Sequence, residues 1–269
     1  LPGMKFAAIA RPPVVFGKVK TYDAAKALAV TGVEQVVDLP AAEAPSMFKA
    51  QGGVAVIASN SWAALKARDL LEIEWDDGSN ADYDSDSYKQ VLLQAVRQPG
   101  SVLRQQGDVG QALEAAEQTL EAEYYAPHLA HASMEPPAAV ASVTADFCEV
   151  WAPTQNPQSL IPMVEAATGL TKEQVKINVT LLGGAFGRKS KCDFAEEAVV
   201  LSKMTGAPVL VQWSREDDIR HDYFHSVSAQ QLAASIGPDG AVTGWRHRLA
   251  YPSIMSTFDP AVKAPVAFE

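Results

Sequence analysis

Hydrophobic positions in the first eighty residues fall in short, closely spaced runs. MKFAAIA (4–10), VEQVVDLP (33–40) and GGVAVIAS (52–59) read as strands, GKVKTY (17–22) as another, and LEIEW (71–75) alternates as a strand with one wet face. Helix spacing occupies the gaps. DAAKALAVTG (23–32) predicts a short helix with Asp23 as N-cap and Gly32 past its end, and NSWAALKARDLL (60–71) a second, capped by Asn60 or Ser61. The run DDGSNADYDSDS (76–87), acidic and rich in Ser and Asp, breaks this α+β pattern as a linker or long surface loop would.

Beyond it, SYKQVLLQAVRQPG (87–100) and DVGQALEAAEQ (108–118) predict helices, the second opened by Asp108, and TLEAEYY (119–125) a strand. AAVASV and CEVWAP flank TADF as a hairpin. SLIPMVEAATGL (159–170) reads as a helix with Pro162 tolerated in its first turn. VKINVTLL (175–182) is a strand running into a glycine-rich loop. Past the loop, Phe194, Ala195, Ala198, Val199 and Leu201 recur at helix spacing until Gly206 and Pro208. VLVQW (209–213) follows as a strand, and SVSAQQLAASI and AVTGWRHRLAY flank the turn GPDG. No internal repeat is present.

Composition narrows the function. With 269 residues, the chain is long enough for about two domains. The 32 acidic against 22 basic residues give a formal charge of -10, which repels a phosphate backbone and excludes nucleic acid as a partner. No apolar run reaches the ~20 residues of a membrane-spanning helix, and the opening LPGMKFAAIA lacks the regions of a signal peptide. That opening, and an ending at APVAFE without a helix stop, suggest a piece of a longer polypeptide. Two cysteines, Cys148 and Cys192, are too few for the four thiolates of an iron–sulfur cluster.

Candidate chemistry centres on LLGGAFGRK (181–189). Gly183, Gly184 and Gly187 stand between a strand and a helix, where absent side chains let a ligand reach the backbone and free N–H groups face an anion. The spacing matches neither a Walker loop nor GxGxxG, which disfavours an ordinary nucleotide enzyme. Spacing alone favours a plain structural turn. His128 and His131, three apart on a Pro-flanked strand, point to opposite faces and lack zinc-protease geometry. His221 and His225, four apart with Asp218 and Asp222 nearby, are a weak metal candidate because the sequence between them reads as extended. Arg215, Glu216, Asp217 and Asp218 read as a solvated turn, and Arg188, in the plain reading, as a surface cation answering Glu196 or Asp193.

The wider context changes the weighing of the loop. WAPTQNPQSLIPMVEAATGL…VKINVTLLGGAFGRKSKCDFAEEAVVLSKMTGAPVLVQWSREDD (151–218) resembles the molybdenum-binding large subunit of the xanthine dehydrogenase and aldehyde oxidase family, as does GDVGQALEAAEQTLEAEYYAPHLAHASMEPPAAV (107–140). The segments 11–37 and 52–78 are similar to the α/β hammerhead domain of those subunits. GAFGRK, HASMEP and WSREDDIRHDYFH bring the chain nearest the isoquinoline 1-oxidoreductase β-subunit and membrane-associated bacterial aldehyde dehydrogenase type. The resemblance implies an α+β chain: a hammerhead domain over 1–80, then the first, incomplete part of a molybdopterin-binding region over 81–269.

The implied activity is oxidation of an aldehyde or N-heteroaromatic with oxygen from water, at molybdopterin cytosine dinucleotide. Electrons would leave through 2Fe–2S clusters on a small subunit, and a membrane cytochrome c would serve as a further partner alongside the remainder of the large subunit. A periplasmic or membrane-associated setting goes with the type. Cofactor binding falls to Gly183, Gly184, Ala185, Phe186, Gly187 and Arg188, the arginine by pairing with phosphate. His131 and Glu135 fall at the substrate wall. No protein metal ligand is implied, and the family's catalytic glutamate lies beyond Glu269. Leu129 aligns where many members carry a glutamine that bonds an oxo ligand, and Ser190 where purine-oxidising members carry a glutamate. Those departures leave two rivals open: a non-catalytic scaffold of the same fold, and an enzyme that cradles nucleotide phosphate in the loop.

Overall fold

The apolar runs of the first eighty residues become strands and helices in the computed structural model, which describes residues 1–265; the last four residues of the APVAFE ending lie outside it. In chain order these are β1 (Lys5–Ala10), β2 (Lys18–Asp23), α1 (Ala25–Leu28), β3 (Val33–Leu39), β4 (Gly53–Ala58), α2 (Ser61–Arg68) and β5 (Glu72–Asp76). The middle holds α3 (Ser85–Val96), α4 (Val109–Glu114), β6 (Gln118–Ala126), β7 (Ala138–Val143), β8 (Cys148–Ala152), α5 (Pro157–Thr168) and β9 (Val175–Val179). The last part holds α6 (Asp193–Thr205), β10 (Val209–Gln212), α7 (Arg215–Arg220), β11 (Ser228–Ile236) and β12 (Val242–Ala250).

The chain divides into two units, and it crosses between them three times. The first unit is Leu1–Ala81 with Ala130–Tyr223; the second is Asp82–Leu129 with the chain from Phe224 onward. The acidic run at 76–87 therefore spans a crossing, but residues 1–81 do not stand alone.

Seven strands of the first unit form one sheet in the order β3-β4-β1-β10-β7-β8-β9. The β1–β10 and β8–β9 pairs are parallel and the others antiparallel. Parallel pairs need both faces covered, and β4, with no residue exposed, meets that demand. One face packs against α5 and α6 through Ile57, Val150, Leu160, Phe194, Leu201 and Val211; on the other, Ala63, Ala64 and Ala67 of α2 close onto Ala8, Ala58 and Val56. Alanine dominates α2's inner face, which brings helix and sheet backbones close together. A separate two-stranded pair joins β2 and β5.

In the second unit β12-β11-β6 form an antiparallel sheet. Leu92 and Val96 of α3 cover it by packing with Val227 and Ala229.

Several expected caps appear as side-chain hydrogen bonds. Asn60 caps α2 by accepting from the Ala63 N–H, Asp84 caps α3 and Asp108 caps α4. Three expectations are corrected. The helix from Asp23 is a single turn, because Asp23 completes β2 and only its carboxylate reaches the Ala25 N–H, at 2.8 Å. Helix α5 starts two residues before Ser159, with Asn156 as cap and Pro157 in the first turn, so Pro162 lies inside it. Asp217 and Asp218 do not solvate a turn: both are buried on α7, where Ser214 and Asp217 form a capping box.

Candidate functional site

Strand β9 stops at Val179, and the chain runs irregularly to a short turn at Arg188–Ser190 before α6 begins. On this path the carbonyls of Gly183 and Gly184 accept the backbone N–H groups of Glu135 (3.0 Å) and Met134 (2.9 Å). The two stretches singled out in the sequence, GGAFGRK and HASMEP, therefore meet. Their closeness explains two glycines: a Cβ on Gly183 would lie 2.9 Å from Glu135 Cβ, and one on Gly184, at φ 59°, 2.8 Å from Met134 Cγ. Here the missing side chains make room for the protein's own chain. The segment 127–137 is not the strand expected, since Pro127, Pro136 and Pro137 interrupt it and Ala132 turns left-handed at φ 46°.

After Gly184 the backbone turns outward. Phe186 is left-handed at φ 54° and Gly187 follows at φ 104°, a conformation that costs a bulky residue energy and that recurs at binding sites. The N–H groups of Ala185, Phe186 and Gly187 donate to no other described residue. Successive N–H groups in such a turn form a concavity for an anion or a partially negative oxygen. Phe186, Leu181 and Met134 stand exposed around it.

Beneath the loop lies a buried charge network. Arg188 is fully buried and pairs through both terminal nitrogens with Asp193, at 2.8 and 2.7 Å. Its Nε sits 2.9 Å from Asp222 Oδ1, an ion-pair distance at an angle short of a hydrogen bond. Burial alone would favour loss of its proton, but Asp193 and Asp222 outweigh it and raise its proton affinity. Asp222 also accepts the backbone N–H of His131 at 2.5 Å and lies 2.9 Å from His131 Nδ1. Lys189, with no exposed side-chain surface, reaches Glu135 Oε2 at 2.6 Å. Glu135 is half exposed, so the pair joins the buried side of the loop to its rim.

A second set flanks Trp213. Arg11 makes a two-pronged pair with Glu197, at 2.7 and 2.6 Å, and its guanidinium lies 3.8 Å from the indole centre, while Trp213 Nε1 donates to Glu197 at 2.8 Å. Asp217 bridges Arg68 at 2.6 Å and Arg11 at 3.8 Å. Burial, and then the Arg11 charge, push His221 down to about 4.

The structure thus gathers Gly183, Gly184, Ala185, Phe186, Gly187, Arg188, His131 and Glu135 in the first unit. It corrects Arg188: the fork is spent on Asp193 inside the protein and is neither a surface cation nor presented to a phosphate. Leu129 and His128 belong to the second unit, where His128 bonds Tyr83. Ser190 Oγ donates to the Gly187 carbonyl at 2.7 Å. His221 and His225 share no helix face, because α7 ends at Arg220. Sequence reasoning passed over Lys189, Asp222 and Thr154, whose hydroxyl donates to the Lys189 carbonyl at 3.0 Å beside the exposed Gln155. A cation adjacent to the glycines was the available signal for Lys189. For Asp222 there was none, since its partners lie 34 and 91 residues away.

Comparison with known proteins agrees with this geometry. Residues 95–263 match the family model described as the molybdopterin cofactor-binding domain. The chain is 28% identical over 255 residues to a nicotinate dehydrogenase subunit of Pseudomonas putida, covering 94% of this chain and 21% of that protein. It is 27% identical over 253 residues to a membrane-bound aldehyde dehydrogenase of Gluconacetobacter polyoxogenes, covering 92% and 32%. The solved aldehyde oxidoreductase of Desulfovibrio gigas shares the fold at a TM-score of 0.69 and 16% identity, over 93% of this chain and 31% of that one. The chain thus spans a fifth to a third of the length of these relatives.

Proposed function

This chain belongs to the molybdopterin cofactor-binding domain family, and we propose that its 183–188 loop holds the cofactor in an enzyme that oxidises an aldehyde or an N-heteroaromatic with oxygen from water. The observation that carries this reading is the row of N–H groups at Ala185, Phe186 and Gly187, which find no partner within the described chain. Such donors suit oxygens bearing negative charge, whether on the metal centre or on the pterin's phosphate. When bound, the molybdenum cofactor supplies the redox chemistry; the protein's share is to hold and orient.

Each residue has a part in that holding. Gly183 and Gly184 lock the loop to Met134 and Glu135, and Arg188 anchors its far end through Asp193. Ala185 to Gly187 present the donors, while Glu135 and His131 form the neighbouring wall on the substrate side. Arg188 supports the cofactor from behind. The cytosine dinucleotide form, a small subunit with 2Fe–2S clusters, a membrane cytochrome c as outer acceptor and a periplasmic or membrane-associated setting complete the proposal. They rest on likeness to the bacterial isoquinoline-oxidising type. The base for the hydroxylation would come from the further polypeptide that the longer relatives possess.

The test is molybdenum per polypeptide, by elemental mass spectrometry, on the intact protein from its own host. Wild type should carry about one atom. Gly187→Val puts a branched side chain at φ 104°, with its Cβ 3.4 Å from His131 Nε2, and should leave a folded protein with little molybdenum. Normal metal content in that variant would remove the loop from the cofactor site.

A further inference from the structure

Asp222 stands out in the sequence only as a bystander of two histidines, yet in the fold its carboxylate is the junction of the site. Fully buried, it accepts the His131 backbone N–H (2.5 Å), lies 2.9 Å from His131 Nδ1 and 2.9 Å from Arg188 Nε. These contacts reach both halves of the site. Arg188 ends the glycine loop, and three residues after His131 the N–H groups of Met134 and Glu135 bond to Gly184 and Gly183. The imidazole itself stands against the loop: a Cβ on Gly187 would meet His131 Nε2 at 3.4 Å and Cδ2 at 3.5 Å.

We propose that Asp222 is a positioning residue of the cofactor site, acting through His131 to hold the 183–187 backbone in its donor-presenting form. The inference rests on the reading that this loop holds the cofactor. A carboxylate at Nδ1 selects the ring form protonated there and fixes the ring plane, so the opposite edge is held against Gly187. By also taking the His131 backbone N–H, the same carboxylate fixes the start of the segment that docks on the glycines. A charge buried this deeply persists only when its partners are in place, so Asp222, His131 and Arg188 form an arrangement that loosens as a whole when one member is removed.

The experiment is a double-mutant cycle on the full-length protein with Asp222→Asn, His131→Gln and the pair together. Two quantities are read. The first is molybdenum per polypeptide; the second is amide exchange at Met134 and Glu135 in protein from a host unable to make the cofactor. Each single variant should lower molybdenum about tenfold and speed exchange about tenfold, the scale of one charge-assisted hydrogen bond. The double variant should be no worse than either single one, because both remove the same connection.

Effects that multiply would show that Asp222 acts independently of His131 and would overturn the proposal, as would wild-type exchange in Asp222→Asn. If Asp222→Asn does not fold, His131→Gln alone decides. It leaves the Asp222–Arg188 pair intact, so faster exchange at Met134 and Glu135 supports the proposal and unchanged exchange refutes it. Wild-type protein without molybdenum, in which the exchange coupling still holds, would end the cofactor reading of the loop while sustaining the positioning role.

Discussion

Glu196 provides a pH-dependent test of the packing behind the loop. It sits on α6 next to the stretch 47–50, where its Oε2 accepts the Ala50 N–H at 2.7 Å. The same stretch is held by Tyr223, whose hydroxyl donates to the Lys49 carbonyl and whose ring meets Phe48 edge-on at 5.0 Å between centroids. Burial pushes the Glu196 carboxyl from its ordinary 4.5 up to about 7; Asp193 and Glu197 add to the rise, against the Ala50 N–H and Lys49.

Because the folded value is raised, the contribution of Glu196 to stability is fully present below about 4.5 and is lost as pH rises through about 7. A tenfold change in proton affinity is worth about 1.4 kcal/mol, which puts a ceiling of about 3 kcal/mol on the penalty carried by the ionised form at pH 8. Residual solvent contact brings the expected value to about 1–2 kcal/mol. Glu196→Gln keeps an acceptor for Ala50 and carries no charge. Urea unfolding should therefore show the variant more stable than wild type by that amount at pH 8, with the two nearly equal at pH 5. A variant equally destabilised at both pH values would mean that Glu196 is held as a carboxylate, and the reasoning would fail.

Three further outcomes follow from contacts elsewhere in the first unit. Glu197→Ala leaves Arg11 buried against Trp213 without its two-pronged partner and should cost about 3–5 kcal/mol in denaturant unfolding, while replacing both members with apolar residues should recover much of that loss. Gly53→Ala would drive a Cβ to 2.1 Å from the Ala10 carbonyl oxygen at φ 128°, so expression should fall and the midpoint drop steeply, by more than about 3 kcal/mol. Asn60→Ala removes the acceptor for the Ala63 N–H and should cost about 1 kcal/mol with no change in molybdenum content.

What could be read from the sequence follows the range of the forces involved. The strands of the large sheet, the helix α6 and the caps at Asn60, Asp84 and Asp108 are written in neighbouring residues, and hydrophobic spacing locates them. The helix start at Asn156 was also legible in the Asn-Pro pair, although Pro162 drew attention away from it. The site was legible at its glycines, but the physical reason differs in part. Gly183 and Gly184 are small because Glu135 and Met134 lie against them, a contact across about fifty residues that no local pattern encodes. The fates of Arg188, Asp217 and Asp218 were invisible for the same reason. A charged residue in a loop reads as solvated until the fold supplies a buried partner of opposite sign.

The parallel pairing of β1 with β10 constrains how the chain is made. Lys5 to Ala7 bond alongside Val209 to Val211, about 200 residues later, so the sheet cannot close until most of the chain has left the ribosome. At ~5–20 residues per second, β1 keeps one hydrogen-bonding edge open for tens of seconds, with only β4 on its other side. An open edge in an apolar nascent segment is an invitation to pair with a stranger. For this protein a chaperone's protection during synthesis is therefore needed at the first strand to emerge, long before the cofactor loop exists.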